Sequence, residues 1–107
     1  MQNISPAELK QRLDSDAPPP LLLDVREPWE VERACLPHSH CIPMKELTAR
    51  LEELNPDQET VVLCHHGIRS RSVCLFLEQH MQFSNVLNLA GGIDAWARQV
   101  DPDVPTY

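Results

Sequence analysis

The sequence predicts an α/β domain with a central, mostly parallel sheet of short strands and helices on both faces. Apolar runs of four or five residues, typical of strands buried on both sides, alternate with longer segments of helical period. Proline and glycine punctuate the junctions between them. With 107 residues there is room for one core, so a single domain over residues 1–107 is expected, its core at about 4–98 and a tail at 99–107.

The elements follow in order. Ser5-Pro6-Ala7-Glu8 is a capping box with proline at the first helical position, and Leu9 and Leu13 continue it to about Asp14. Pro18-Pro19-Pro20 cannot be helical and leads, extended, into a buried strand at 21–25. A short helix opened by Pro28 spans 27–33. An irregular stretch between Leu36-Pro37 and Cys41-Ile42-Pro43 ends in a brief strand. Met44, Leu47, Leu51 and Leu54 predict a helix with one apolar stripe, closed by Asn55-Pro56-Asp57. A strand at 60–63 is followed by a helix from Arg69 to about Met81, with Val73, Phe76, Leu77 and His80 on one face. A strand at 86–89 and a helix at 93–98 complete the core. Glycines occur only at Gly67 and Gly91-Gly92, where the chain calls for unusual backbone.

A formal charge of −7 opposes contact with nucleic acid or anionic lipid. No apolar stretch approaches the length of a membrane span, and the first residues carry neither the basic nor the apolar region of a secretory signal. The chain thus reads as a cytoplasmic, monomeric protein whose four cysteines are thiols.

Chemistry concentrates in Cys64-His65-His66-Gly67-Ile68-Arg69-Ser70, between a buried strand and a helix start. A thiol there faces free N–H groups and the positive end of a helix dipole, which favour the thiolate nucleophile. Gly67 lets the turn curl into an anion cradle, and Arg69 adds a positive fork. No carboxylate occurs from Thr60 to Leu77, so an electropositive mouth for a small anionic substrate is expected.

This arrangement resembles the rhodanese (sulfurtransferase) family, whose active loop is a cysteine followed, after four residues, by arginine. The segment Leu23-Asp24-Val25-Arg26-Glu27-Pro28-Trp29-Glu30 is similar to the family's D-V-R-E-P element. Leu89-Ala90-Gly91-Gly92-Ile93-Asp94-Ala95-Trp96 is similar to its late G-G-x-x-x-W element. The resemblance runs from about Ile4 to Arg98 and implies about five parallel strands. It departs at Ala34-Cys35-Leu36-Pro37-His38-Ser39, where the family commonly has G-H-I-P-G-A.

The resemblance implies that Cys64 takes a sulfane sulfur from a thiosulfate-like or persulfide donor and passes it to cyanide or a thiol, with no cofactor and no metal. His65, His66, Gly67, Ile68, Arg69 and Ser70 would bind the substrate, with Arg71 as a further candidate for orienting the donor. A sulfur carrier for a protein partner, or a regulatory docking module, is the alternative on the same fold. A phosphatase or arsenate reductase is disfavoured, because related phosphatase loops hold five residues where His65, His66, Gly67 and Ile68 stand here. A metal site drawn from Cys35, His38, His40, Cys41, Cys64, His65 and His66 lacks paired-cysteine spacing, and adjacent His65 and His66 are expected to diverge. Among the other residues, Cys74 is read as core and Trp96 as core or lid packing. Trp29 is read as core or lid packing and His80 as a core histidine. Cys35 and Cys41 are given surface or packing roles, and Asp24–Arg26 is read as a structural ion pair.

Overall fold

A computed structural model describes residues 1–107. Five parallel strands form one sheet in the order β1-β5-β4-β2-β3: β1 Gln2–Ile4, β2 Leu21–Asp24, β3 His40–Cys41, β4 Thr60–Leu63 and β5 Val86–Leu89. The helices are α1 Pro6–Asp14, α2 Pro28–Arg33, α3 Ile68–His80 and α4 Gly92–Gln99. The α/β expectation therefore holds, with β1 added. That edge strand buries only Ile4, so its sequence carries no apolar run to read.

Strand alternation divides the core in two. Leu22, Val61, Leu63, Leu87 and Leu89 face Leu9 of α1 and Ile93, Trp96 and Ala97 of α4. Leu23, Val62 and Val86 face Val73, Cys74 and Leu77 of α3, and Cys64 belongs to this second cluster. Cys74 and Trp96 are thus core residues. The capping box of α1 is present, with the Glu8 amide donating to Ser5 Oγ at 3.1 Å and the Ser5 amide to Glu8 Oε1 at 3.0 Å.

Four expectations need correction. The segment Met44–Glu53 is a 3-10 helix, broken at Arg50 (φ −125°, ψ 20°), in place of the expected α-helix. Two of the three steps in its apolar stripe, 44 to 47 and 51 to 54, equal the three-residue turn of a 3-10 helix, so the pattern fits both. Met44 ends up exposed, while Leu47 and Leu54 are buried. His80 is exposed, its ring beside that of Phe76, while Val73, Cys74 and Leu77 carry the buried face of α3. Trp29 is exposed, 56% of its surface reaching solvent.

The fourth concerns the tail. Val104 is buried in the first core cluster, and Val100 and Tyr107 pack against it. Amides of Val100 and Asp101 both donate to the Trp96 carbonyl, turning the chain back toward the carboxyl ends of the strands. Segment 100–107 is therefore an ordered strap.

The departing segment forms a turn at 36–39, with the Ser39 hydroxyl donating to the Leu36 carbonyl at 2.9 Å. His38 takes φ 63°, a left-handed conformation, at the position where the family pattern has glycine. Cys35 is exposed and Cys41 half-buried. No helix is long and apolar enough to cross a membrane.

Candidate active site

Cys64 follows β4 directly, with only 1% of its surface exposed. Gly67, at φ 97°, reverses the chain so that α3 begins beneath the sulfur. The amides of Gly67 and Ser70 donate to Cys64 Sγ at 3.1 and 3.4 Å. Ser70 Oγ lies 3.3 Å from the sulfur. Burial pushes the Cys64 thiol up, but the Ser70 hydroxyl and the amides of Ser70, Gly67 and His66 outweigh it and leave the pKa below its ordinary value. The cradle is thus a few converging N–H groups from the first turn of α3 plus one hydroxyl.

Two groups hold this cradle, one that the sequence left unremarked and one at the glycine pair that it singled out. Asn88, buried within β5, donates from Nδ2 to the Gly67 carbonyl at 3.2 Å and accepts the Ser70 hydroxyl on Oδ1 at 2.5 Å. One side chain therefore fixes both residues whose amides meet the sulfur. The second is the start of α4. Ile93 and Asp94 amides donate to the carbonyls of Cys64 and His65 at 2.9 and 3.1 Å. Gly92 permits this approach, since a Cβ there would lie 2.4 Å from each of those carbonyl oxygens. Gly91 and Gly92 both have positive φ, as a strand-to-helix turn requires.

The electropositive mouth is altered by residues distant in sequence. Glu30 of α2, only 3% exposed, receives Arg69 Nη1 on Oε1 at 2.6 Å and Nη2 on Oε2 at 2.8 Å. The Arg69 pair is the main cause that lowers the Glu30 carboxyl to about 2, and Arg69 is raised in return. Arg69 thus spends two of its five N–H donors on Glu30 and keeps three for other partners. Arg71 stands exposed beside His66, Gly67 and Ile68 at a pocket of about 460 Å³.

Asp24 and Arg26 form the expected ion pair, fully buried, at 2.6 Å. Arg26 also donates to the carbonyls of Glu30 and Ala34 and to the Tyr107 hydroxyl. It therefore ties the end of β2 to α2 and to the strap.

His65 and His66 do not diverge: their rings stack at 4.0 Å, and Tyr107 stacks on the other face of His65 at 3.9 Å. Burial and the neighbouring His66 lower the His65 pKa. His65, His66 and Asp94 bring ligand atoms within 4.8 Å of one another. Imidazole lone pairs lie in the ring plane, however, and the planes here differ by only 25°, so they run side by side where a shared ion needs them to converge. Asp94 Oδ2 is also held by Arg98 at 3.0 Å.

The chain shares its sequence pattern and its fold with known proteins. The sequence pattern of the Rhodanese-like domain matches residues 5–99. A protein named Sulfurtransferase from Allochromatium vinosum is 38% identical over 104 residues, covering 97% of this chain and 95% of the relative. A chloroplastic Rhodanese-like/PpiC domain-containing protein of Arabidopsis thaliana is 42% identical over 90 residues, 80% of this chain but only 30% of that protein. Among solved structures, a rhodanese-related protein from Thermoplasma volcanium superposes with a TM-score of 0.84 at 31% identity, covering all of both chains. A rhodanese-like domain protein from Staphylococcus aureus gives 0.84 at 28%, with coverage of 100% and 99%. By the family pattern over residues 5–99 and by its relatives, the chain belongs to the Rhodanese-like domain family.

Proposed function

We propose that this protein is a sulfurtransferase in which Cys64 carries a sulfane sulfur as a persulfide. The observation that carries the reading is the convergence of the Gly67 and Ser70 amides on a sulfur whose pKa is lowered. In the first step the Cys64 thiolate attacks the outer sulfur of a thiosulfate-like donor. The donor's S–S bond breaks, and sulfite leaves with the electron pair. In the second, cyanide or a thiolate attacks the outer sulfur of the persulfide, and the Cys64 thiolate departs. The amides that cradle the thiolate are placed to hold the negative charge of the persulfide, and the remaining N–H groups of Arg69 and the exposed Arg71 orient the donor's oxygens. No cofactor enters either step. Thiosulfate-to-cyanide transfer measures the whole cycle; Cys64→Ser is expected to abolish it, and retained transfer would overturn the assignment.

A protein thiol is a second candidate acceptor. Ile68, at the tip of the loop, is 77% exposed, an uncommon position for a large apolar side chain that suits contact with a macromolecule. Mixing persulfide-loaded protein with a thiol protein, and following the sulfur by mass, separates this from turnover on small thiols alone.

A further inference from the structure

The strap at 100–107 lies beyond the residues that the family pattern matches, and the sulfur chemistry outlined above does not use it, yet it reaches the loop. Tyr107 touches four residues around the site at once, from α2, the end of β2 and the loop after β4. Its hydroxyl donates to Glu30 Oε2 at 2.7 Å and accepts from Arg26 Nη1 at 3.0 Å. Its ring lies flat on His65, 3.9 Å between centroids and 6° between planes. Trp29 meets the same ring edge-on at 6.0 Å. Burial pushes the phenol up to about 12, so it keeps the proton that it gives to Glu30. Val104, buried three residues earlier, sets the reach of the strap.

Each contact has a consequence for the loop. Glu30 is the group that orients Arg69, and it takes four donors: two from Arg69, the Glu27 amide and the Tyr107 hydroxyl. Removing the phenol leaves one lone pair of a buried carboxylate unpaired and frees the fork to swing. His65 is faced by His66 on one side and Tyr107 on the other, and the charges of Glu30 and Asp94 act on it. Its Nε2 is buried without a partner, and the Tyr107 backbone also acts on the ring, so the strap residue holds the imidazole by stacking and through its main chain.

We propose that Tyr107 is a positioning residue for the sulfur-transfer site, fixing Arg69 through Glu30 with its hydroxyl and fixing His65 with its ring. The inference rests on the sulfurtransferase reading for its kinetic arm only. Tyr107→Phe keeps the ring and removes the hydroxyl; Tyr107→Leu removes both while filling apolar volume beside Val104. The rate at which Cys64 takes up sulfur is followed against thiosulfate concentration, and the His65 ring proton is titrated by NMR. Both variants are expected to raise the half-saturating thiosulfate concentration by about 3- to 10-fold, the worth of one weakened charged hydrogen bond, with the maximal rate within about twofold. The His65 midpoint is expected to rise in Tyr107→Leu and to stay at the wild-type value in Tyr107→Phe.

A folded Tyr107→Leu chain with either quantity unchanged overturns the proposal, as does Tyr107→Phe with wild-type half-saturation. If Tyr107→Leu fails to fold, the Phe variant decides on its kinetics. If the wild-type chain takes up no sulfur, the transferase reading falls. The His65 midpoints then decide the placement of Tyr107 alone.

Discussion

Ser70 has one hydroxyl hydrogen and two neighbours that compete for it, Asn88 Oδ1 at 2.5 Å and the Cys64 sulfur at 3.3 Å. As a thiol, Cys64 donates to Ser70 Oγ; once ionised, it draws the hydroxyl hydrogen toward itself. Ser70→Ala removes that option and leaves the amides. The midpoint for Cys64 alkylation should then rise by about one pH unit, the worth of one hydrogen bond to a charged group. Iodoacetamide rates against pH measure it, and an unmoved midpoint would assign the lowered pKa to the amides alone. The loop residues were legible in sequence because cysteine, glycine and arginine at that spacing imply a cradle. Asn88 and Glu30 were not, since an asparagine in a strand and a glutamate in a short helix show nothing of their partners until the sheet order is known.

At the scale of elements, turns decide where the site sits. Gly92 lets α4 approach the loop, and a Cβ would strike the Cys64 and His65 carbonyls. Gly92→Ala should therefore destabilise the fold by about 2–4 kcal/mol, from left-handed strain plus contact, and lower the thermal midpoint accordingly. His38 presents the opposite case. It is exposed at φ 63°, so His38→Gly should stabilise by about 0.5–1 kcal/mol despite the greater freedom of the unfolded chain, and raise the melting temperature by a few degrees. The helix and strand sequence was readable from period and capping, as the Ser5–Glu8 box illustrates. The 3-10 segment was not, because three-residue steps serve two helix types. Nor was the strap, because two prolines and polar residues conceal the single buried anchor at Val104.

Over the whole molecule, acid sensitivity follows from carboxylates held ionised. Glu30 has a folded pKa of about 2 against an ordinary 4.5, owing first to Arg69. Its contribution to stability is complete above about 4.5 and is lost as pH falls toward 2. Wild-type stability, measured by urea unfolding, should decline across that window, and Glu30→Gln should flatten the decline while lowering stability at neutral pH. A slope unchanged by the substitution would place the acid sensitivity elsewhere, for instance on Glu53, which Arg50 and His40 hold at about 2. The charge of −7 was visible from composition, but the pairing of Arg69 with Glu30 depends on two segments that meet only across the folded sheet.

The most direct test of the account is the intact mass of the protein after incubation with thiosulfate. A gain of one sulfur is expected, located to Cys64 by peptide mapping, absent in Cys64→Ser, and lost when cyanide is added. No gain from either thiosulfate or a small persulfide, or a gain confined to Cys35, Cys41 or Cys74, would contradict it.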